Sequence, residues 1–503
     1  MASFKSPPGV KVKPFVMSNF MGLDSSTDVT AQDNQKEQTL SVCNNAYCDW
    51  RGQIIRSPAG RRVVNAGLVT HVRFYGNRDD ETNVAFAEST DYKISLKSDR
   101  GHVAEDVYDK NVAVTSTIFS NSAHFCSKNS YMYVYDGASF QRNDSSAMEV
   151  LAPAYCCSVQ RRLVVAGLLG RDTEVQLTRV DTYDVFADDE DPNEENVLRG
   201  GKIEIGNLLG TADKITGIAG FEQNRLAIFT RNRTLIYVID PDINNWQLDE
   251  RANINIGTIS HNTIVQAGTD LVFCSERGVH TIMRSRENGI LVYASLLSSR
   301  VDIEYRRLLK QVTNKEQISA VWDQENSQYH IFFPISDRVS KRLTVNMSQQ
   351  QEVPEKWSSG DYLNARCGDV LGGRFVLGGY GGIHEIFDIE DDLEALSDVA
   401  MEIKTPISWQ GSMTEDKAAH SFFLHATGQG DLMVEILNEE DELLDAFNLE
   451  IKDDEDAKFP DNPISKQYER KFEAIYRGVR VKLTSKGKGL IRILAVGFNV
   501  RQR

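Results

Sequence analysis

What most narrows the fold of this chain is a unit that recurs along it: an apolar strand, a polar turn rich in Asn, Asp, Gly or Arg, and a second apolar strand. It reads as GLVTHVRFYG with NVAFAES and YKISLK (67–96), AHFCSKNSYMYVYDG (123–137), CCSVQRRLVVAGLL (156–169), ITGIAGFEQNRLAIFTRNRTLIYVI (215–239), TIVQAGTDLVFCSERGVHTIM (263–283), ISAVWDQENSQYHIFFP (318–334) and CGDVLGGRFVLGGYGGIHEIF (367–387). Successive units begin about 30 to 60 residues apart, the scale of one four-stranded propeller blade. Each offers a sheet too small to bury both faces alone, and radial stacking supplies the missing partner. The repeats are degenerate, with no WD series, one kelch-like double-Gly cluster and no SxDxGxTW boxes, so a sandwich-rich fold is the competing architecture.

Helical periodicity is confined to 298–316, where Val301, Tyr305, Leu308, Leu309 and Val312 share one face. After about residue 396 the strands lengthen. SFFLHATGQGDLMVEILNEEDELLDAFNLEI (421–451) and YRGVRVKLTSKGKGLIRILAVGFNV (476–500) alternate, so that Val479, Val481 and Leu483 point one way and Arg480, Lys482 and Thr484 the other. The expected fold is all-β: a degenerate β-propeller over 66–395, a C-terminal β-sandwich over 396–503, and an N-terminal arm and hairpin over 1–65 that joins this sandwich-like platform, which the chain ends thus form together.

At 503 residues the chain is long enough for two or three domains. A net charge of −16 argues against nonspecific nucleic-acid binding, which draws its affinity from Lys and Arg replacing phosphate counterions. The start, MASFKSPPGVKVKPFV, lacks an apolar run of signal-peptide length, and no eighteen consecutive apolar residues occur. Synthesis in a cytosol without a membrane span is the expectation. The seven cysteines form no CxxC pair and read as reduced and mostly buried. Vicinal Cys156 and Cys157 are either strand residues or a redox or soft-metal site.

Chemistry-bearing constellations are few. ADDEDPNEEN (187–196) is dense in carboxylates but has neither the turning Gly nor the spaced ligands of a calcium loop, and reads as a solvated loop. The acidic stretch KDDEDAKFPDNP (452–463) reads the same way. GGRFVLGGYGGIHEI (372–386) lacks GxxxxGK[ST] and reads as hairpin turns. There is no HExxH and no GxSxG, so neither a catalytic residue, a metal site nor a cofactor is expected, and the five tryptophans read as core or interface anchors. One basic stretch stands out: NNAYCDWRGQIIRSPAGRRV (44–63) sets arginines around Pro58 and Gly60. A hairpin reversing at Pro58/Gly60 is expected, making Arg56, Pro58, Gly60, Arg61 and Arg62 the candidate interface or turn residues. Phosphate gripping, salt bridges between subunits or domains, and a plain solvated turn are the three roles open to them.

That stretch lies within SNFMGLDSSTDVTAQDNQKEQTLSVCNNAYCDWRGQIIRSPAGRRVV (18–64). An Asn-Phe-x-Gly-Leu start, an Asn-containing strand, a Gly-Gln-Ile-Ile strand and an Arg-x-Pro-x-Gly turn resemble the N-terminal signature of tail hub or nozzle proteins of short-tailed bacteriophages, of the packaged-DNA stabilisation or tail tubular type. FEQNRLAIFTRNRTLIYVI and the ending YRGVRVKLTSKGKGLIRILAVGFNV resemble the same family's propeller hairpins and final strand pair. The family turn is commonly Arg-Pro-Gly; here Arg56, Ser57, Pro58, Ala59 and Gly60 carry two extra residues. The resemblance implies a structural virion protein without turnover, a homo-oligomer, hexameric in the family, in the virion tail below portal and adaptor. Tail fibres, spikes or a needle would attach to it, and DNA would pass through its channel without specific binding. Six copies at −16 each carry about −96, and an acidic lumen repels phosphates rather than holding them. With a Debye length of about 8 Å, only lumen-facing carboxylates count. A propeller enzyme acting on glycans, with carboxylates and arginines at the propeller centre, and a cytosolic propeller scaffold are the competing functions.

Overall fold

The computed structural model describes residues 12–27, 33–34, 37–75, 83–143, 152–186, 195, 197–209, 213–250, 254–268, 270–284, 291–293, 296–347, 355–386, 397–410, 412–452 and 466–502. The acidic runs 187–196 and 452–463 therefore fall almost wholly outside the described residues.

Six four-stranded antiparallel meanders follow one another, the first formed by Leu68–Tyr75, Asn83–Ser89, Lys93–Ser98 and Val103–Asp109. The others span 114–142, 155–204, 215–248, 265–293 and 319–360. A seventh sheet takes three strands, Ala365–Leu371, Arg374–Gly379 and Gly382–Ile386, from late in the chain and its fourth, Gly60–Val64, from near the start. First strands of successive sheets pack on one another around a ring, with the short helix His261–Thr263 standing between the fourth sheet and the fifth, and Ala365–Leu371 packs back on Leu68–Tyr75. The molecule contains a closed seven-bladed propeller, and each of the seven recurring sequence units lies in its own blade.

Alternation explains the stacking. Most inner strands show one apolar face to the blade before and another to the blade after. Ala85, Ala87, Ile94 and Leu96 of blade one meet Val114, Ala123, Phe125 and Tyr135 of blade two, and Phe229 of blade four meets Phe273 of blade five at 4.9 Å between rings. Between blades five and six the contact widens to admit helix Asp302–Gln311, whose Tyr305, Leu308 and Leu309 are buried as its periodicity predicts. The Tyr305 hydroxyl donates to the Ser275 carbonyl (2.6 Å).

The rest of the chain is a two-sheet sandwich. One sheet orders Lys466–Tyr476, Lys417–Gly428, Ile491–Gln502, Ile54–Arg56 and Ala46–Cys48, with Val12–Ser18 also paired to Ile491–Gln502. The other orders Val42–Asn44, Val399–Lys404, Val479–Gly487, Gly430–Asn438 and Leu443–Ile451. Phe422, Phe472 and Phe498 from the first sheet and Val434, Val481 and Leu483 from the second share one core. Val12 lies opposite Arg501, so both chain ends build this platform. Its second sheet continues into blade six, where Ser359 of Lys356–Gly360 lies opposite Asn44.

Two expectations need correction. The boundary at residue 65 misplaces Gly60–Val64, which belongs to the propeller, because a circular array is closed by a strand from the other end of the chain. The reversal expected at Pro58 and Gly60 also does not occur. Ile54–Arg56 and Gly60–Val64 lie in different sheets, and the residues between them cross from platform to blade seven. The hairpin lies one step earlier, pairing Ala46–Cys48 with Ile54–Arg56 around a turn in which the Asp49 carboxylate accepts the Gln53 N–H (2.8 Å).

Candidate functional site

The five residues singled out in the basic stretch take three different environments. Arg56 is a core residue, 1% exposed, and its Nη1 donates to the Ser485 hydroxyl (3.0 Å). Burial lowers its pKa to about 10, against the nearby Asp398 charge, so it stays cationic at neutral pH. Pro58 is half-buried against a cleft described below, and the Gly60 N–H donates to the Tyr362 hydroxyl (2.6 Å). Arg61 and Arg62 are exposed on the closing strand, opposite Glu385 and His384. Of the four arginines at 51, 56, 61 and 62, the expected exposed hairpin is thus corrected most sharply at Arg56.

The signature segment folds into a seam between platform and propeller. The Phe20 N–H donates to the Gly52 carbonyl (2.9 Å), so the Asn-Phe-x-Gly-Leu start rests on the Gly-Gln-Ile-Ile strand. Gly52 has φ +79°, and a Cβ there would lie 2.5 Å from Asn19 Cα. Gly22, at φ +80°, sits where a Cβ would come within 2.4 Å of the Trp357 carbonyl oxygen. Only glycine fits either place. Asn45 completes the seam: its side-chain amide donates to Asp361 Oδ1 (2.9 Å) and to the Ala400 carbonyl (2.8 Å). Its Oδ1 accepts the N–H groups of Asp361 (3.0 Å) and Tyr362 (3.1 Å). The sequence marks only an Asn-containing strand here and does not single out Asn45, which lies between Val42–Asn44 and Ala46–Cys48 at φ +52°.

The propeller axis is filled. The one-turn helix His261–Thr263, in the link from blade four to blade five, reaches into the ring of first strands. His261 stacks on Tyr155 of blade three (5.3 Å), and its Nδ1 accepts the Ile218 N–H of blade four (3.3 Å). The Asn262 amide donates to the Val114 carbonyl of blade two (2.8 Å). His71 of blade one bonds Ser116 of blade two (2.7 Å), and burial, with the charge of Arg73, lowers its pKa to about 3. A void of about 10 Å³ remains beside the turn, no more than one water needs. Imidazoles, hydroxyls and amides meet here, and Lys128 and Glu316 also border the void.

A larger space opens between blades six and seven, a cleft of about 160 Å³. Blade six is two-faced. Tyr329, Ile331, Phe333, Leu343, Val345 and Trp357 face the large core, while Gln328, His330, Arg342, Thr344 and Ser358 face the cleft. The apolar contact between these blades is reduced to Val321, Phe332, Ala365, Phe375 and Leu377, with Leu363, Val370 and Ile386 partly buried beside them. His330 bonds Thr344 Oγ1 through Nδ1 (2.8 Å) and stacks on Phe375 (5.2 Å between rings). Ser57 and Pro58 of the crossing segment border the cleft, and the Ser57 hydroxyl accepts a long bond from Arg342 Nη2 (3.4 Å).

Of the remaining sequence candidates, the glycines at 372, 373 and 381 lie in hairpin turns as expected. The seven cysteines are free thiols. Cys156 packs between blades two and three and Cys157 between three and four, so alternation turns the vicinal pair to opposite faces. Trp357 is buried, and Trp50 stands 53% exposed at the hairpin tip under the Arg51 guanidinium (4.7 Å). Among the described residues no helix is long and apolar enough to cross a membrane.

No protein-family model matches the chain, and no curated protein matches it. Solved structures similar to it include BBS1N in complex with ARL6DN, at 11% identity and TM-score 0.37 over 65% of this chain and 96% of that one. YCF48 bound to D1 peptide is similar at 7% identity and TM-score 0.37, over 66% and 96%. BamB from Moraxella catarrhalis is similar at 8% identity and TM-score 0.33, over 63% and 95%. Likenesses at this level say nothing about what this chain does.

Proposed function

We propose that this protein is a structural subunit of the tail of a short-tailed bacteriophage, made in the host cytoplasm and assembled as a ring, a hexamer on the family pattern. The ring lies below portal and adaptor, retains the genome and then lets it out, and carries fibres, spikes or a needle. It performs no turnover. One observation carries the reading: the residues that resemble the tail-protein signature touch one another. Asn19, Phe20 and Gly22 meet Gly52 and Trp357 at the seam of platform and propeller, so the resemblance follows a structural unit rather than scattered identities.

The filled axis favours a passage outside the propeller. With His261 and Asn262 across the ring of first strands, DNA travels between subunits and not through a propeller. A net charge of −16 per chain suits a conduit that must release its cargo. A propeller scaffold for protein partners is the second reading, since a closed propeller with a packed axis serves it equally.

Electron microscopy of the purified protein, alone and with a portal and adaptor complex, tests the assignment. Six-fold rings are expected in at least one preparation. Persistent monomers in both would overturn it and favour the scaffold, while hydrolysis of a glycan panel would favour the enzyme.

A further inference from the structure

We propose that the cleft between blades six and seven binds a small oxyanion, a carboxylate or a phosphate group. The inference is independent of the tail reading.

The first ground is the exception this interface makes. The other blade contacts are packed chiefly with apolar side chains, and blade six itself packs Ile331, Phe333 and Val345 on its opposite face. On the cleft side the same strands carry Gln328, His330, Arg342 and Thr344. A fold under no other demand gains by placing apolar residues there, since each buried methylene is worth about 0.8 kcal/mol.

The second ground is unanswered hydrogen-bonding capacity. Gln328 and His330 are each only 4% exposed, and Gln328 Nε2, His330 Nε2 and Arg342 Nε have no partner among the described residues. A buried polar group without a partner costs about 1 to 3 kcal/mol. An amide N–H₂ and a guanidinium N–H only donate, and His330 donates from Nε2 when the Thr344 hydroxyl donates to its Nδ1. All three then call for an acceptor. No carboxylate lies within ion-pair distance of Arg342 among the described residues, and burial lowers its pKa to about 10 against the charges of Tyr362 and Asp361, leaving a cation at neutral pH.

Asp323 and Glu325 also border the cleft. The Asp323 carboxylate is already engaged by the N–H groups of Glu325 (3.0 Å) and Asn326 (3.4 Å) and by the Asn326 amide (2.8 Å). Glu325 is exposed, where solvent screens it. The volume suits a group of a few heavy atoms, since an apolar cavity of about 150 Å³ accepts benzene.

Calorimetric titration of the full chain with inorganic phosphate and, separately, with acetate tests the site at ionic strength held constant with chloride. Saturable binding of one anion per chain is expected from at least one of the two, and which one binds identifies the group. Arg342→Met should weaken that binding at least tenfold. Gln328→Leu should weaken it severalfold and raise the melting temperature of the ligand-free protein, because it removes a donor that otherwise stays unmet. Should Arg342→Met fail to fold, Gln328→Leu decides alone. No saturable heat from either anion, unchanged affinity in the folded variants, or a lowered melting temperature for ligand-free Gln328→Leu would each overturn the proposal.

Discussion

Asn45 and Asp361 are joined through both backbone and side chain: the Asn45 amide donates to the Asp361 carboxylate at 2.9 Å, while its Oδ1 accepts the Asp361 N–H at 3.0 Å. Asp361 also holds Lys341 of blade six at 2.7 Å. One 2%-exposed side chain in the platform thus fixes the segment linking blades six and seven. Asn45→Ala leaves the N–H groups of Asp361 and Tyr362 without this acceptor, and loss of about 2 to 4 kcal/mol of stability is expected in urea titrations. Asn45→Gly separates the causes. Asn45 has φ +52°, so glycine spares the backbone about 1 kcal/mol while still losing the bonds.

Gly52 offers a steric test of the same seam. Its left-handed backbone and the 2.5 Å approach to Asn19 Cα leave no relaxation short of moving main chain. Gly52→Ala is expected to cost about 3 kcal/mol or more and to lower the thermal midpoint accordingly.

Acid should unfold the propeller partly through its histidines. His124 and His280, 0% and 2% exposed, are held by burial at a pKa of about 4. In the unfolded chain they titrate near about 6.5. Below that pH the unfolded state takes up protons that the folded state refuses, so stability is full above it and falls as pH drops towards 4. Each ring accounts for about 2 kcal/mol lost by pH 5. Urea stabilities of His124→Gln and His280→Gln at pH 7.5 and pH 5 should differ by about that much less than those of the unaltered protein.

Arg61 and Arg62 separate assembly from folding. Exposed on the closing strand, they should tolerate a double change to Glu with the fold kept, at a cost of about 1 kcal/mol because position 61 lies opposite Glu385. If they pair with acidic residues of a neighbouring subunit, the same change disperses rings in electron micrographs. Rings that persist remove pairing between subunits as their role.

The propeller was legible in the sequence because its inner strands are apolar hairpins, and alternation marks those without help from tertiary contacts. The outer strands were not. Gln247–Leu248 is only two residues long, and Gly60–Val64 is polar and exposed over Arg61, Arg62 and Val63, so neither shows a period of two. Closure of the ring was hidden for the same reason, since its partner strand lies more than 300 residues away. The cleft escaped notice because QYHIFFP alternates polar and apolar side chains over its first half, the pattern of a solvated face. Here that face meets another blade. Arg56 misled because a guanidinium in an arginine-rich stretch suggests solvent, whereas position alone, at the end of a sandwich strand, buries it.

The pairing of Val12–Ser18 with Ile491–Gln502, together with the donation of Gly60–Val64 to the last blade, sets a timetable for biosynthesis. At about 5 to 20 residues per second, the first strand leaves the ribosome on the order of half a minute to a minute and a half before its partner. Through that interval its edges stand unpaired, and six blades can stack before the seventh receives its outer strand. The segment 12–18 has to stay out of wrong sheets until residues 491–502 emerge, so the long interval between partners bears on folding yield rather than on the stability of the finished fold.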